Sequence, residues 1–249
     1  SQVALVRGGT EDVLRLGEDV TITLRAELSP TVDAPLVFAG YGLSAPDAGH
    51  DDLAGLDLTG KIVVYINGTP ANITGAPAAH YQNLNVRWQA LKAAGAIGAL
   101  AILNTKTMEQ PWERTAPSRL NPVMTLVDAR FNDLAGMKFS ASVNPASAER
   151  LFTGSGRAFA DLVALAAERK PLPRFALPAT LRARVALEST AIESDNVAAL
   201  LPGSDPALAR EHVVLTAHLD HVGVGAGSNG DRIYNGAMDN ASGIATLIE

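Results

Sequence analysis

Two uninterrupted apolar runs flanking an amphipathic stretch constrain the fold of this chain more than any other feature in it. Ile62-Val63-Val64-Tyr65-Ile66 and Ile97-Gly98-Ala99-Leu100-Ala101-Ile102-Leu103 have the composition of buried strands. Between them Val86, Ala90, Leu91 and Ala94 recur at helical spacing and Gly95 is a natural stop, so a helix is expected over residues 83–94. A strand, a helix and a strand on short connections make an α/β unit.

The flanking segments extend this pattern. Residues 1–34 alternate apolar and polar positions, as in Val20-Thr21-Ile22-Thr23-Leu24, which is a period-two strand signal punctuated by Pro30 and Pro35. Residues 35–42 read as a short strand ending in a glycine turn, and 122–127 as a further strand. Asn144-Pro145 is a helix start with proline at the first helical position. A second helix over 158–169 puts Phe159, Leu162, Val163 and Ala166 on one face, and Pro171 and Pro173 end it. Residues 181–187 alternate as a strand with one exposed face, its arginines pointing to solvent. Beyond a boundary near residue 190 the composition changes. Strands are expected over 196–201 and 212–217. The glycine- and asparagine-rich stretch 223–236 is too poor in apolar residues for regular structure. A helix starts near Ala241, with Ser242 as cap and Ile244, Leu247 and Ile248 as its apolar face.

Bulk properties remove several classes of function. At 249 residues, 47% hydrophobic and 18% charged, the chain has room for one large or two modest domains with full cores. A net charge of −6, scattered lysines and few aromatics argue against nucleic-acid binding. There are no cysteines, hence no disulfides or thiolate ligands. No segment approaches the roughly 20 apolar residues that span a bilayer. The first residues lack the apolar core of a signal peptide.

The chemistry concentrates near the end. His218-Leu219-Asp220 closes an apolar run, and Asn235-Gly236-Ala237-Met238-Asp239-Asn240-Ala241-Ser242-Gly243 follows within a turn-rich stretch. Imidazole nitrogen and carboxylate oxygen grouped this way suit zinc. Asp220 can hold the second ring nitrogen of His218 or ligate directly, and Asp239 has two oxygens with which to bridge a metal pair. Alone, His218-Leu219-Asp220 reads better as a hydrogen-bonded pair on a loop; joined to the second motif, the ligand reading prevails. Elsewhere the plainer reading is preferred. His221 is a loop side chain, His50-Asp51-Asp52 an exposed turn, His80 and Trp88 ordinary loop and helix positions, and Ser155 a turn residue. Asn72-Ile73-Thr74 matches a glycosylation acceptor pattern but fits a local turn.

Residues 214–249 resemble the start of the catalytic domain of zinc aminopeptidases of the leucyl aminopeptidase and glutamate carboxypeptidase type. His218-Leu219-Asp220 and Asp239-Asn240-Ala241-Ser242-Gly243 carry the likeness. The resemblance implies that His218 ligates one zinc, Asp239 bridges two, and Asp220 orients His218. It also implies a Glu-Glu pair, a further acidic ligand and a final histidine beyond Glu249. On that basis residues 191–249 are an incomplete catalytic domain, inactive and holding little or no zinc alone. Residues 35–190 resemble the protease-associated domain inserted in many such enzymes, through Phe38-Ala39-Gly40-Tyr41-Gly42, the Leu56 to Val64 run and the Ala93 to Leu100 crossover. The expected architecture is α/β: an amino-terminal strand segment (1–34), a β-rich protease-associated domain (35–190) and the start of a zinc-exopeptidase sheet (191–249). The expected activity is two-zinc removal of amino-terminal residues from peptide substrates, in a periplasmic or secreted setting; the oligomeric state is left open. A non-catalytic binding module that keeps the fold without the metal is the alternative.

Overall fold

The computed structural model describes residues 1–108, 111–228 and 230–249. They form two compact units, Ser1–Ser189 and Thr190–Glu249. The first is built on an eight-stranded mixed sheet. Its first strands are β1 (Gln2–Arg7), β2 (Thr10–Leu14), β3 (Val20–Ile22) and β4 (Thr31–Ala39). A separate small ribbon pairs β5 (Ser44–Ala45) with β6 (His50–Asp51). The large sheet continues with β7 (Ile62–Ile66), β8 (Gly98–Ile102), β9 (Phe139–Val143) and β10 (Arg174–Arg184). Its spatial order is β2-β1-β10-β4-β7-β8-β9-β3. The strands β4, β7, β8 and β9 run parallel, and the remaining pairs are antiparallel.

The uninterrupted apolar runs follow from burial on both faces of the sheet. Ile62, Val64 and Ile66 of β7 enter one core with Leu36, Phe38, Leu100 and Phe139. Val63 and Tyr65 enter a second core with Val37, Trp88, Leu91 and Met137. Two helices precede β8: α1 (Gly75–Gln82) and α2 (Leu84–Ala93). The Asn83 side chain caps α2 by accepting the Asn85 N–H at 3.2 Å. Its buried residues are Arg87, Trp88 and Leu91, so Trp88 is a core residue and the buried face is rotated from the expected one. After the short α3 (Trp112–Thr115) and α4 (Glu149–Phe152), α5 (Phe159–Ala167) packs Phe159, Leu162 and Ala166 inward, as its spacing suggested.

Chain connectivity forces the sheet to curl. The edge strands β2 and β3 lie at opposite ends of the strand order, yet Val20 follows Leu14 by only six residues. Six extended residues reach at most about 22 Å, whereas seven spacings of a flat sheet measure about 34 Å. Leu14, from β2, and Val20, from β3, accordingly lie in the same core. Arg150 joins the two edges. It binds Asp12 of β2 and the Val13 carbonyl (2.6 Å) on one side, and Asp19, just before β3, at 2.9 Å on the other. The Arg150 hydrogen bond holds the Asp12 carboxyl below its usual range. Burial pushes Asp19 up, but hydrogen bonds from Ser147, the Arg15 N–H and Arg150 outweigh it and the net shift is downward.

Several expectations are corrected. The expected strand at 122–127 is irregular and exposed. Strand β4 begins four residues before Pro35 and runs through it. Pro35 pairs with Thr180 at the irregularity where the register against β10 shifts between Ala176 and Thr180, a position in a sheet where proline is tolerated. Asp52 is buried to 4% exposure, not part of an exposed turn.

In the second unit neither 196–201 nor 212–217 forms a strand. Their large apolar side chains are exposed, with Val197 at 100% and Val213 at 91%. An apolar run becomes a strand only when a neighbour takes up its N–H and C=O groups. Conversely, the stretch expected to be irregular forms a hairpin of β11 (Gly223–Ser228) and β12 (Asp231–Tyr234), with Ser228 opposite Asp231. The Asn229-Gly230 dipeptide between them is a strong hairpin signal in the sequence, although Asn229 lies outside the described residues. An irregular turn over Ala237–Ala241 leads into α6 (Ser242–Ile248). Among the described residues, no helix is long and apolar enough to cross a membrane.

Candidate metal centre

The site is assembled by the turn between β12 and α6. Gly236 opens it at φ 69°, ψ 23°, a left-handed conformation that favours glycine. A Cβ there would also fall 2.7 Å from the Cβ of His221. The Ala241 N–H returns to the Gly236 carbonyl at 3.1 Å. Asn240, not Ser242, supplies the side-chain cap of α6: its Oδ1 accepts the Gly243 N–H at 3.1 Å. Ser242 Oγ instead donates to the Met238 carbonyl at 2.9 Å. A Cβ on Gly243 would lie 2.3 Å from Asn240 Oδ1, so the glycine makes room for the cap. Asparagine three residues before that N–H was the available signal for this role.

Asp239, held in this turn, meets His218. The Nε2 of His218 lies 2.9 Å from Asp239 Oδ1, and its Nδ1 lies 2.7 Å from the backbone carbonyl of Asp220. The Asp220 carboxylate is more remote, at 3.6 Å from Nδ1, and 93% exposed. His221 approaches from the other side, its Nδ1 3.7 Å from Asp239 Oδ2, its ring 6.4 Å from that of Tyr234, and only 24% of its side chain exposed. The structure therefore brings His218 and Asp239 together, adds His221, and joins Asp220 to His218 through its carbonyl.

Electrostatics follow from these partners. His218 faces two acceptors, and only the imidazolium can donate to both. Its pKa is accordingly raised, first by the Asp220 carbonyl and, against some desolvation, by Asp239.

The donor chemistry suits a zinc ion as far as it goes. The Asp220 carbonyl fixes the tautomer that leaves Nε2 free to ligate. Two ligands each 2.0–2.1 Å from a tetrahedral ion sit about 3.3 Å apart, close to the 2.9 Å between Nε2 and Oδ1. Among the described residues no group of three or more His, Cys, Asp or Glu is arranged to hold a metal.

The segment carrying these residues is similar to a known family. Residues 196–249 match the model of Peptidase family M28. The match includes His218, Asp220 and Asp239. Among solved structures, an aminopeptidase from Aneurinibacillus sp. strain AM-1 is similar at 15% identity and a TM-score of 0.37. That similarity covers 74% of this chain and 30% of the other, so this chain spans less than a third of that protein's length. No curated protein matches the chain.

The other acid–histidine cluster is structural. His50 Nε2 lies 3.0 Å from Asp52 Oδ2, with side chains 14% and 5% exposed. Asp52 also accepts the N–H groups of Tyr41 (3.1 Å) and Leu43 (3.2 Å), clasping the glycine turn that leaves β4. Burial pushes its carboxyl up, partly offset by His50 and the two N–H groups. His80 is exposed on α1, and Ser155 Oγ accepts the Arg157 N–H in a turn at 3.2 Å.

Proposed function

We propose that residues 191–249 begin the catalytic domain of a two-zinc exopeptidase that removes amino-terminal residues from peptides. The reading further takes 35–190 as a protease-associated domain and the setting as periplasmic or secreted. The observation that carries it is the meeting of His218 Nε2 and Asp239 Oδ1 at 2.9 Å within a segment matching a peptidase family. When bound, zinc would activate a water and polarise the scissile carbonyl.

The residues of this chain hold and orient. His218 Nε2 and Asp239 would be ligands, with the second oxygen of Asp239 available to bridge. The Asp220 carbonyl keeps the imidazole in its ligating orientation. The Asn240–Gly243 cap fixes the turn from which Asp239 projects.

The test is zinc content and aminopeptidase turnover of the intact protein, with and without Asp239→Ala. Loss of stoichiometric zinc together with activity is expected. Full retention of both would sink the reading, and a folded wild-type protein without zinc would favour the non-catalytic module.

A further inference from the structure

Among the described residues of the first unit, Arg87 is the one arginine buried with most of its guanidinium unused. It is 3% exposed, yet its Nε and Nη2 have no hydrogen-bond partner. Its Nη1 donates to the Gln82 carbonyl at 3.2 Å, and its Cζ lies 4.3 Å above the Tyr65 ring. Among the described residues no carboxylate forms an ion pair with it. A buried, unpaired cation is costly, and guanidinium is never relieved of its charge by deprotonation. Nε–H and Nη2–H point in parallel from one edge of the group. That edge is the fork that receives the two oxygens of a single oxyanion.

We propose that this edge of Arg87 is a binding site for a carboxylate. Its place in the fold agrees. Tyr65, beneath the guanidinium, is the penultimate residue of β7, one of the parallel strands, and ligands of α/β sheets gather beyond the carboxyl ends of such strands. Asn104, two residues beyond β8, is a second orphan at that end of the sheet. It is 2% exposed, and its Nδ2 has no partner. A Cβ on Gly68, just past β7, would stand 3.8 Å from that nitrogen. Charge selects the ligand. Lys92 on the same helix directs its ammonium to the Ala135 carbonyl at 2.9 Å, and the guanidinium brings one positive charge to the fork. A carboxylate monoanion balances it, whereas a phosphate dianion would leave a surplus. The carboxylate belongs to a small free acid or to the end of a peptide.

The decisive measurement follows the Arg87 Nε–H signal by NMR in the full chain during titration with acetate, inorganic phosphate and chloride at constant ionic strength. Acetate is expected to shift the signal saturably, phosphate more weakly, and chloride not at all. Arg87→Lys is expected to weaken acetate binding about tenfold or more by losing the fork. Arg87→Met, which removes the unpaired charge, is expected to melt higher than wild type without acetate and to lose acetate's stabilising effect. Trialanine competing where its carboxy-amide does not identifies a peptide end as the source; competition by neither identifies a small free acid. A signal blind to acetate, whether Arg87 is solvated by ordered water only or follows ionic strength alone, overturns the proposal. So does tighter binding of phosphate than of acetate.

Discussion

On the proposed zinc reading, His218 has to surrender a proton before it can ligate. With the Asp220 carbonyl on Nδ1 and Asp239 on Nε2, the ring is favoured as an imidazolium and its pKa is raised. Zinc uptake at Nε2 should therefore release a proton. The expected outcome is affinity that holds above the raised pKa and falls by about tenfold per pH unit below it, measured by chelator competition across that range. Affinity flat through the range would place the first ligand elsewhere. At this scale the meeting of His218 with Asp239 was legible, because His218, Asp220 and Asp239 lie close in sequence within turn-forming neighbours. Which atom of Asp220 serves was not legible, since a loop can turn either its carbonyl or its side chain toward a ring. Asn240's cap was hidden for a similar reason: Asn240 and Ser242 are both good caps, and only the path of the turn decides between them.

The exit from β4 is held by a single carboxylate. Asp52 accepts two buried N–H groups of the Gly40–Leu43 turn and faces His50. Asp52→Ala leaves both donors without a partner and should cost about 3 kcal/mol in chemical denaturation; a loss below a tenth of that would refute the clasp. The sign of its pH dependence follows from burial. Its folded pKa lies above the unfolded one, so the native state holds the proton more readily. The stability it contributes is full below the unfolded pKa and is lost as pH rises through the folded value. Among elements, β7, β8 and α5 were legible because burial writes itself into their spacing on one face or both, whereas α2 was legible in extent but not in its buried face. The segments 122–127, 196–201 and 212–217 show the converse. Apolar content identifies residues able to form a strand, but the partner is a property of the rest of the fold. Asp52 was misread because a His-Asp-Asp run looks solvated until its neighbours cover it.

Across the first unit, Arg150 joins the two edges of the curled sheet. Arg150→Ala should lower stability by about 1–2 kcal/mol, the Asp12 side being partly exposed and screened. Both Asp12 and Asp19 have lowered pKa values, so their contribution is present above the unfolded carboxylate range and lost as pH falls through the folded values. The wild-type advantage over the variant should therefore shrink on acidification, as read by denaturation at a series of pH values; an advantage unchanged by acid would contradict the latch. The α/β character of the molecule was readable from the strand–helix–strand run, whereas the curl was not, since it depends on which strands become neighbours. That order has a temporal consequence. Strand β1 is completed between β2 and β10, with Gln2 opposite Arg184. During synthesis it emerges well ahead of β10 and waits for nearly the whole unit to follow. Until then one edge of the β1–β2 hairpin is open to strands of other molecules, and closure is set by contacts distant along the chain, which form slowly. Made ahead of the other strands of its sheet, β1 is among the last to be sealed, so the interval between the two is when the unit is most exposed to misassembly.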